Sequence, residues 1–425
     1  MRKQFATGLS GLALVLAAGC AAASFPPGAD GGSDASVVRV AAPTGDQAAD
    51  RANILAALDR VRPGGTVQFA PGAYLVGEMI PIETPRITIQ GHPHGTTLRA
   101  CEPDEYHQME LTVSRSTDED EHWASGTRCG TFMLTGGHVA IRGFTFEYTR
   151  LGLLLGCCHR GGVMRPSDGG YRIEENTFRN VGNGIRAMLD ATVPSVIRGN
   201  RFINVFHALS AQQASYLHFI DNDVSVPEPH RVPAMGYPSF AVAINASADG
   251  GICEHNLVSG NRIEGHPIAI RIGTRQGNSC RNNEIRDNTI AAWRVPLPAA
   301  RIYDDEPLIT DEADSTFFGV PLQLVNWSDT TGQSVLENNV IEGNRVTGAQ
   351  GLAILLSHAS RNRVVNNTII GVAVLDPFPG NVLGRRPEWS EANGSAIWIS
   401  PGSEDNEIIG NIFDSVVSHA VVLEG

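Results

Sequence analysis

Short runs of alternating or β-branched apolar residues recur along this chain, each closed by an asparagine and a turn. From 338 to 370 the sequence reads NNVIEGNRVTGAQGLAILLSHASRNRVVNNTII. A strand reaches Asn344-x-Val346, a glycine-rich turn follows, the strand Gly351-Leu-Ala-Ile-Leu-Leu comes next, and Asn367-Thr-Ile369 starts the pattern over. The same unit appears at Asn176, Asn200, Asn222, Asn261, Asn288 and Asn411, so that successive intervals are 24, 22, 39, 27, 56, 23 and 44 residues. A period of 22 to 27 broken by a few longer intervals is a repeat carrying insertions. The segments between motifs lack helical spacing, which excludes βαβ units. Each unit is therefore one coil of a solenoid, its strands stacked in parallel ~4.8 Å apart and its asparagines in a column where each amide donates to one neighbour and accepts from the other.

The strands after the asparagine motifs align from coil to coil: GIRAML from Gly184, ALSAQQ from Ala208, AVAINA from Ala241, AIRIGT from Ala269, PLQLVN from Pro321, AILLSH from Ala353 and AIWISP from Ala396. Ile270/Ile272, Leu322/Leu324 and Ile397/Ile399 set the inward parity. Strict alternation then predicts two outward columns. One is small (Gly184, Ala208, Ala241, Ala269, Pro321, Ala353, Ala396); the other reads Arg186, Ser210, Ala243, Arg271, Gln323, Leu355, Trp398. Two further steps bring Asp190, Arg275 and Trp327. Insertions at 227–239, 294–317 and 376–393 leave from the same turn of different coils, which predicts one walled groove beside these columns.

Upstream, Asp46 to Val61 carries Ile54, Leu55, Leu58 and Val61 at helical spacing, ahead of a GG-x-V-x-F-x-P-G-x-Y strand pair. A helix there would cover the open edge of the first coil. This pattern resembles the N-terminal cap of many β-helix enzymes, and residues 37–425 as a whole resemble the right-handed parallel β-helix of the pectate-lyase-like superfamily. The resemblance implies an all-β, single-stranded solenoid with a short N-terminal capping helix. It implies no single activity, because the superfamily holds lyases, hydrolases, esterases, epimerases and non-catalytic binding proteins.

The first residues, Met1-Arg2-Lys3 and an apolar run from Gly8 to Ala18, describe an export signal over 1–19. Leu16-Ala-Ala-Gly-Cys20 looks like a bacterial lipobox with Cys20 as lipid anchor and 20–36 as tether, while Ala21 to Ala23 offers cleavage with release as the alternative. Six cysteines remain after Cys20; Cys101 with Cys129 and Cys253 with Cys280 are candidate bridges in an exported chain, and Cys157-Cys158 leaves the connectivity open. The spacings give no zinc-type pairs. His92-Pro-His94 with scattered methionine reads as surface histidine rather than a copper site.

Acidic residues outnumber basic ones by 45 to 32, a net charge of −13, which argues against nucleic acid as a partner. Lysine is absent after Lys3, so no lysine base is available in the mature chain.

Lyase action on a uronic acid needs a cation on the carboxylate, a base for the C5 proton and an acid for the leaving oxygen. Ala269-Ile-Arg-Ile-Gly-Thr274 resembles the IRIG segment of alginate- and chondroitin-type β-helix lyases, which implies Arg271 as the carboxylate partner. Ser357-His358-Ala-Ser360 lies where those enzymes keep a lysine, which leaves His358 as the base. Asp304-Asp305 matches the paired acids of polygalacturonases without their GHG or lysine, and adds Asp305 to the catalytic candidates. Arg186, Asp190, Arg275 and Gln323 are the polar substrate-binding candidates, and Trp327 and Trp398 the flat faces for sugar rings.

The expectation is a carbohydrate-active enzyme, lyase-like on a uronic-acid polysaccharide, with calcium as an optional cofactor and no other metal. The alternatives are a non-catalytic envelope lipoprotein that binds glycan or protein, and a structural β-helix. The strand Val421-Val-Leu423 at the far edge makes a homo-oligomer through that edge a further expectation.

Overall fold

A computed structural model of the chain describes residues 36–106, 129–156, 167–227, 240–246, 251–266, 268–275, 277–292, 301–303, 306–307, 320–326, 334–374 and 392–423. Within them the chain winds as a right-handed parallel β-helix. Short strands such as Arg172–Glu174, Ser195–Arg198, Leu217–Ile220 and Leu257–Ser259 pair in parallel in a 12-stranded sheet. The strands after each Asn motif join a second parallel sheet of 20 strands, and Ile252–Glu254, Ser279–Arg281 and Val335–Glu337 form a third of 3. The one antiparallel pair among the described residues, Arg301–Tyr303 with Glu306–Pro307, lies inside the 294–317 insertion.

The asparagine column exists as a continuous ladder. Nδ2 of Asn176, Asn200, Asn222, Asn261, Asn288, Asn344 and Asn367 each donates to Oδ1 of the next at 2.9 to 3.2 Å, ending on Asn411. Each side chain also takes the next-lower backbone N–H, as in Asn288 N to Asn344 Oδ1 at 3.0 Å. A second ladder, Asn256, Asn283, Asn339, Asn362 and Asn406, runs along another corner. These amides satisfy corner backbone groups that have no strand partner, where an unmet polar group would be costly.

Between the corners the coil is filled by stacked apolar side chains. Phe146, Phe178 and Phe202 lie ring on ring with centroids 4.7 Å apart, continuing as Val224, Ile263, Ile290, Val346 and Ile369. The helix Gln47–Leu58 packs on the first coils. Asp46 caps it through Ala49 N–H at 2.8 Å. Asp50, fully buried, accepts from the Thr44 and Leu75 N–H groups at 2.6 and 3.2 Å and ties helix to strand. Cys101 and Cys129 form a disulfide.

Two expectations are corrected. The small column is not outward: Ala208, Ala241, Ala269, Ala353 and Ala396 belong to the core, and a Cβ on Gly184 would lie 2.9 Å from the Phe202 ring. The cause is a bulge, seen where the N–H groups of Ala269 and Ile270 both donate to Pro321 O at 3.0 and 2.9 Å. Two successive residues then face inward, and the first must be small. Cys253 and Cys280, the second expected bridge, are free buried thiols in register on adjacent strands, with the Cys280 thiol bonded instead to Gly273 O at 3.0 Å.

Candidate functional site

The larger column predicted from the sequence has the register of the structure: Arg186, Ser210, Ala243, Arg271, Gln323, Leu355 and Trp398 are successive Cα partners. Arg186 and Arg271 stand three coils apart, ~14 Å at ~4.8 Å per coil. The two halves of this face differ in character.

In the half around Arg186 the face is polar and part-exposed. Arg186 donates to Gln212 Oε1 at 3.1 Å, and Ser210, Gln212 and Asn245 keep access to solvent. Arg271 lies at the inner end of this half, 6% exposed. Its Nε donates to Gln323 Oε1 at 2.8 Å, and its guanidinium carbon sits 4.2 Å from the centre of the Phe240 ring. Gln323 Nε2 donates to Val320 O at 3.1 Å, which fixes the amide so that its oxygen faces the arginine. Burial lowers the Arg271 pKa to about 9, so the group remains a cation at neutral pH.

His207 completes this cluster. Its ring stacks on Phe240 at 5.1 Å, and the Phe240 N–H donates to Nδ1 at 3.2 Å. Burial brings the His207 pKa down to about 3, against a smaller upward pull from the Phe240 carbonyl, 3.3 Å from Nδ1; His266, Arg186 and Arg271 push it further down. His266 is likewise lowered to about 3 by burial. Both rings are neutral at neutral pH. The sequence reading missed His207 and Phe240, which are Cα partners at the start of the aligned strands. The signal was there: the alignment needed one more residue toward the N-terminus.

Toward Trp398 the outer face is dry. Val320, Val325, Leu352, Leu355, Ala392 and Trp398 form an apolar cluster, with Trp398 1% and Gln323 0% exposed. Trp398 therefore packs rather than presenting a platform, since a sugar-stacking ring needs an open face. Asp190 is exposed near the end of the strand Thr177–Val193, and Arg275 is exposed just after the strand Ile268–Thr274. His358 is at a corner with φ +48°, its Nδ1 3.4 Å from Ser357 Oγ. Leu355, not His358, is the residue in Arg271's column on that coil, two coils away. On a grid of ~3.3 Å per residue and ~4.8 Å per coil the Cα atoms of Arg271 and His358 are ~14 Å apart, and the Arg271 guanidinium is engaged with Gln323 and Phe240 while the His358 ring lies by Ser357. Cys20, Asp305 and Trp327 lie outside the described residues.

A family model described as "Periplasmic copper-binding protein (NosD)" matches residues 103–295 and 327–425, more than half of the chain. The chain belongs to the NosD family. No curated protein matches it. Among solved structures, a mutant tailspike protein of E. coli bacteriophage HK620 is similar at TM-score 0.53 and 13% identity, over 90% of this chain and 61% of the tailspike. The chain thus spans about three fifths of that protein's length. Pectate lyase Pel9A gives 0.44 at 13% identity over 89% and 78% of the two chains. An alginate lyase from Paenibacillus gives 0.40 at 11% over 90% and 99%.

The NosD family is periplasmic by its description, and among the described residues no helix is long and apolar enough to cross a membrane. Its description also implies copper, which can be tested against the donors present. His207 and His266 are neutral, but both guanidinium charges that depress His207 would equally repel a metal cation. Cys253 and Cys280 are soft donors, yet both are 0% exposed, and burial, together with the neighbouring thiol, holds the Cys253 pKa well above its usual value. Among the described residues no group of three ligating side chains is present. His207, His266, Cys253 and Cys280 thus do not fit a copper centre.

Proposed function

We propose that this NosD-family protein is an exported, lipid-tethered β-helix that binds an acidic polysaccharide across the Arg186 half of its outer face. The observation that supports it most is the fixed cation: Arg271 is held by Phe240 and Gln323 behind an accessible surface of Arg186, Ser210, Gln212 and Asn245. A guanidinium and amides offer the donors that a uronate carboxylate and its hydroxyls require. Lipidation at Cys20 and an export signal over 1–19 complete the reading.

Binding is favoured over β-elimination because Arg271 is buried and held by Gln323 and Phe240, and His358 is not in its column.

The experiment is calorimetric titration of residues 24–425 with a panel of uronic polymers, with and without Ca²⁺, alongside ultraviolet detection of unsaturated uronate. Binding without unsaturated product is expected, and Arg186→Ala should weaken it about tenfold, the order of a lost hydrogen bond to a charged group. Product formation would establish a lyase instead, and an absence of heat across the panel would sink glycan recognition.

A further inference from the structure

A second outward column runs along the strands that follow the first asparagine ladder, on a different part of the coil from Arg186. The register places Thr177, Arg201, Asp223, Arg262, Thr289, Arg345 and Thr368 as successive Cα partners. Their neighbours Phe178, Phe202, Val224, Ile263, Ile290, Val346 and Ile369 are buried, so this column points away from the core. Arg201 and Arg345 are exposed, and the Arg262 side chain keeps 65% of its surface in solvent.

The arginines fall on every second coil, ~9.6 Å apart at ~4.8 Å per coil. Between them stand Asp223 and Thr289, with Thr177 and Thr368 beyond the ends. Three arginines face one aspartate here, in a chain whose net charge is −13. Asp223 reaches Arg262 only at 3.9 Å, while Arg262 pairs more closely with Glu264 at 2.8 Å on the flank. The spacing is set by backbone pairing and the buried amide ladder, not by flexible loops. A rigid, evenly spaced row of cations gains most from a partner that is itself stiff and evenly charged. In an extended polyuronate with a twofold twist, carboxylates alternate sides and recur on one side every second sugar, a repeat of about two coil heights. The intervening ring then lies over a coil without arginine, where Thr289 offers a hydroxyl.

We propose that Arg201, Arg262 and Arg345 form a docking track for a linear polyuronate running parallel to the helix axis. The choice of ligand class rests on the acidic-polysaccharide reading above, but the surface and its residues are separate from that site.

The test uses residues 24–425 and β-1,4-linked mannuronate oligomers of increasing length at low salt. Affinity should climb in steps as an oligomer becomes long enough to span two and then three arginines. Arg201→Ala and Arg345→Ala should each weaken the longest oligomer about twofold to fivefold, the range of exposed ion pairs, with thermal unfolding unchanged. Arg186→Ala should weaken binding overall, as at the first face, while the stepwise dependence on oligomer length survives. Affinity that ignores length, or equal losses against irregularly charged dextran sulfate or phosphatidylglycerol vesicles, would overturn the track in favour of nonspecific charge. Loss of all binding in Arg186→Ala alone would confine the glycan to the first face and also remove it. If no oligomer binds wild type, both readings fall together; if Arg186→Ala weakens binding while the track variants do not, only the track falls.

Discussion

The side-chain amide of Asn344 donates to Asn367 Oδ1 at 2.9 Å while its own oxygen accepts from Asn288 Nδ2, also at 2.9 Å. It therefore serves the coils on both sides at once. Replacing it removes the acceptor of the Asn288 backbone N–H as well. Asn344→Ala should cost about 2–4 kcal/mol, the scale of more than one buried group left unmet. Asn411→Ala, on the more exposed last described rung, should cost less. Denaturant unfolding compares the two, and equal losses would show that the ladder does not act through burial.

Gly343 occupies a corner at φ +67°, where a Cβ would stand 2.4 Å from Asp287 Oδ1. Gly343→Ala should destabilise by about 1–2 kcal/mol through the strained backbone and this collision together. Adding Asp287→Ala should recover the steric part only, so the double variant should fall between the single variant and wild type. A double variant no better than Gly343→Ala would assign the whole cost to the backbone.

Acid should destabilise the Arg186 face. His207 and His266 have pKa values near 3 when folded, against an ordinary 6.5, so the unfolded chain binds more protons between those values. Their contribution to stability is complete above pH 6.5 and is lost as pH falls toward 3. The melting temperature should drop on going from neutral to about pH 4, and His266→Gln should make that drop shallower. An unchanged slope in the variant would exclude His266 as a source.

Arg271→Lys keeps a charge but loses the planar group that lies on Phe240 and donates to Gln323. It should lower stability by about 1–3 kcal/mol, as expected for an impaired buried polar contact. Arg271→Met, of similar length and apolar, should be less destabilising than Arg271→Lys if burial dominates, because no charge then remains to be desolvated. Both variants should weaken glycan binding at the Arg186 face, and calorimetry separates that effect from the change in melting.

The coil repeat was legible because its asparagines are spaced by the structure itself. All eight residues read from the sequence are consecutive rungs of one ladder. The second ladder carried the same information and was missed: Asn256, Asn283, Asn339, Asn362 and Asn406 each precede a member of the first by five residues. Register was legible too, since Arg186, Arg271 and Trp398 share the column assigned to them. Orientation failed at Ala269 and its equivalents because alternation assumes an unbroken strand, and a bulge shifts parity without changing composition. Burial of Trp398 was not legible, because the same tryptophan can cap a sugar or fill a gap and only its neighbours decide.

The corner residues before the first ladder run Glu175, Gly199, Asp221, Gly260, Asp287, Gly343, Asn366, Gly410, all at positive φ. Side chain and hydrogen alternate strictly, and at Gly260, Gly343 and Gly410 the carboxylate or amide below occupies the space a Cβ would need. Duplicating or deleting one coil would set two side chains, or two glycines, against each other, whereas adding or removing two would restore the match. At this corner, then, the structural repeat is two coils rather than one.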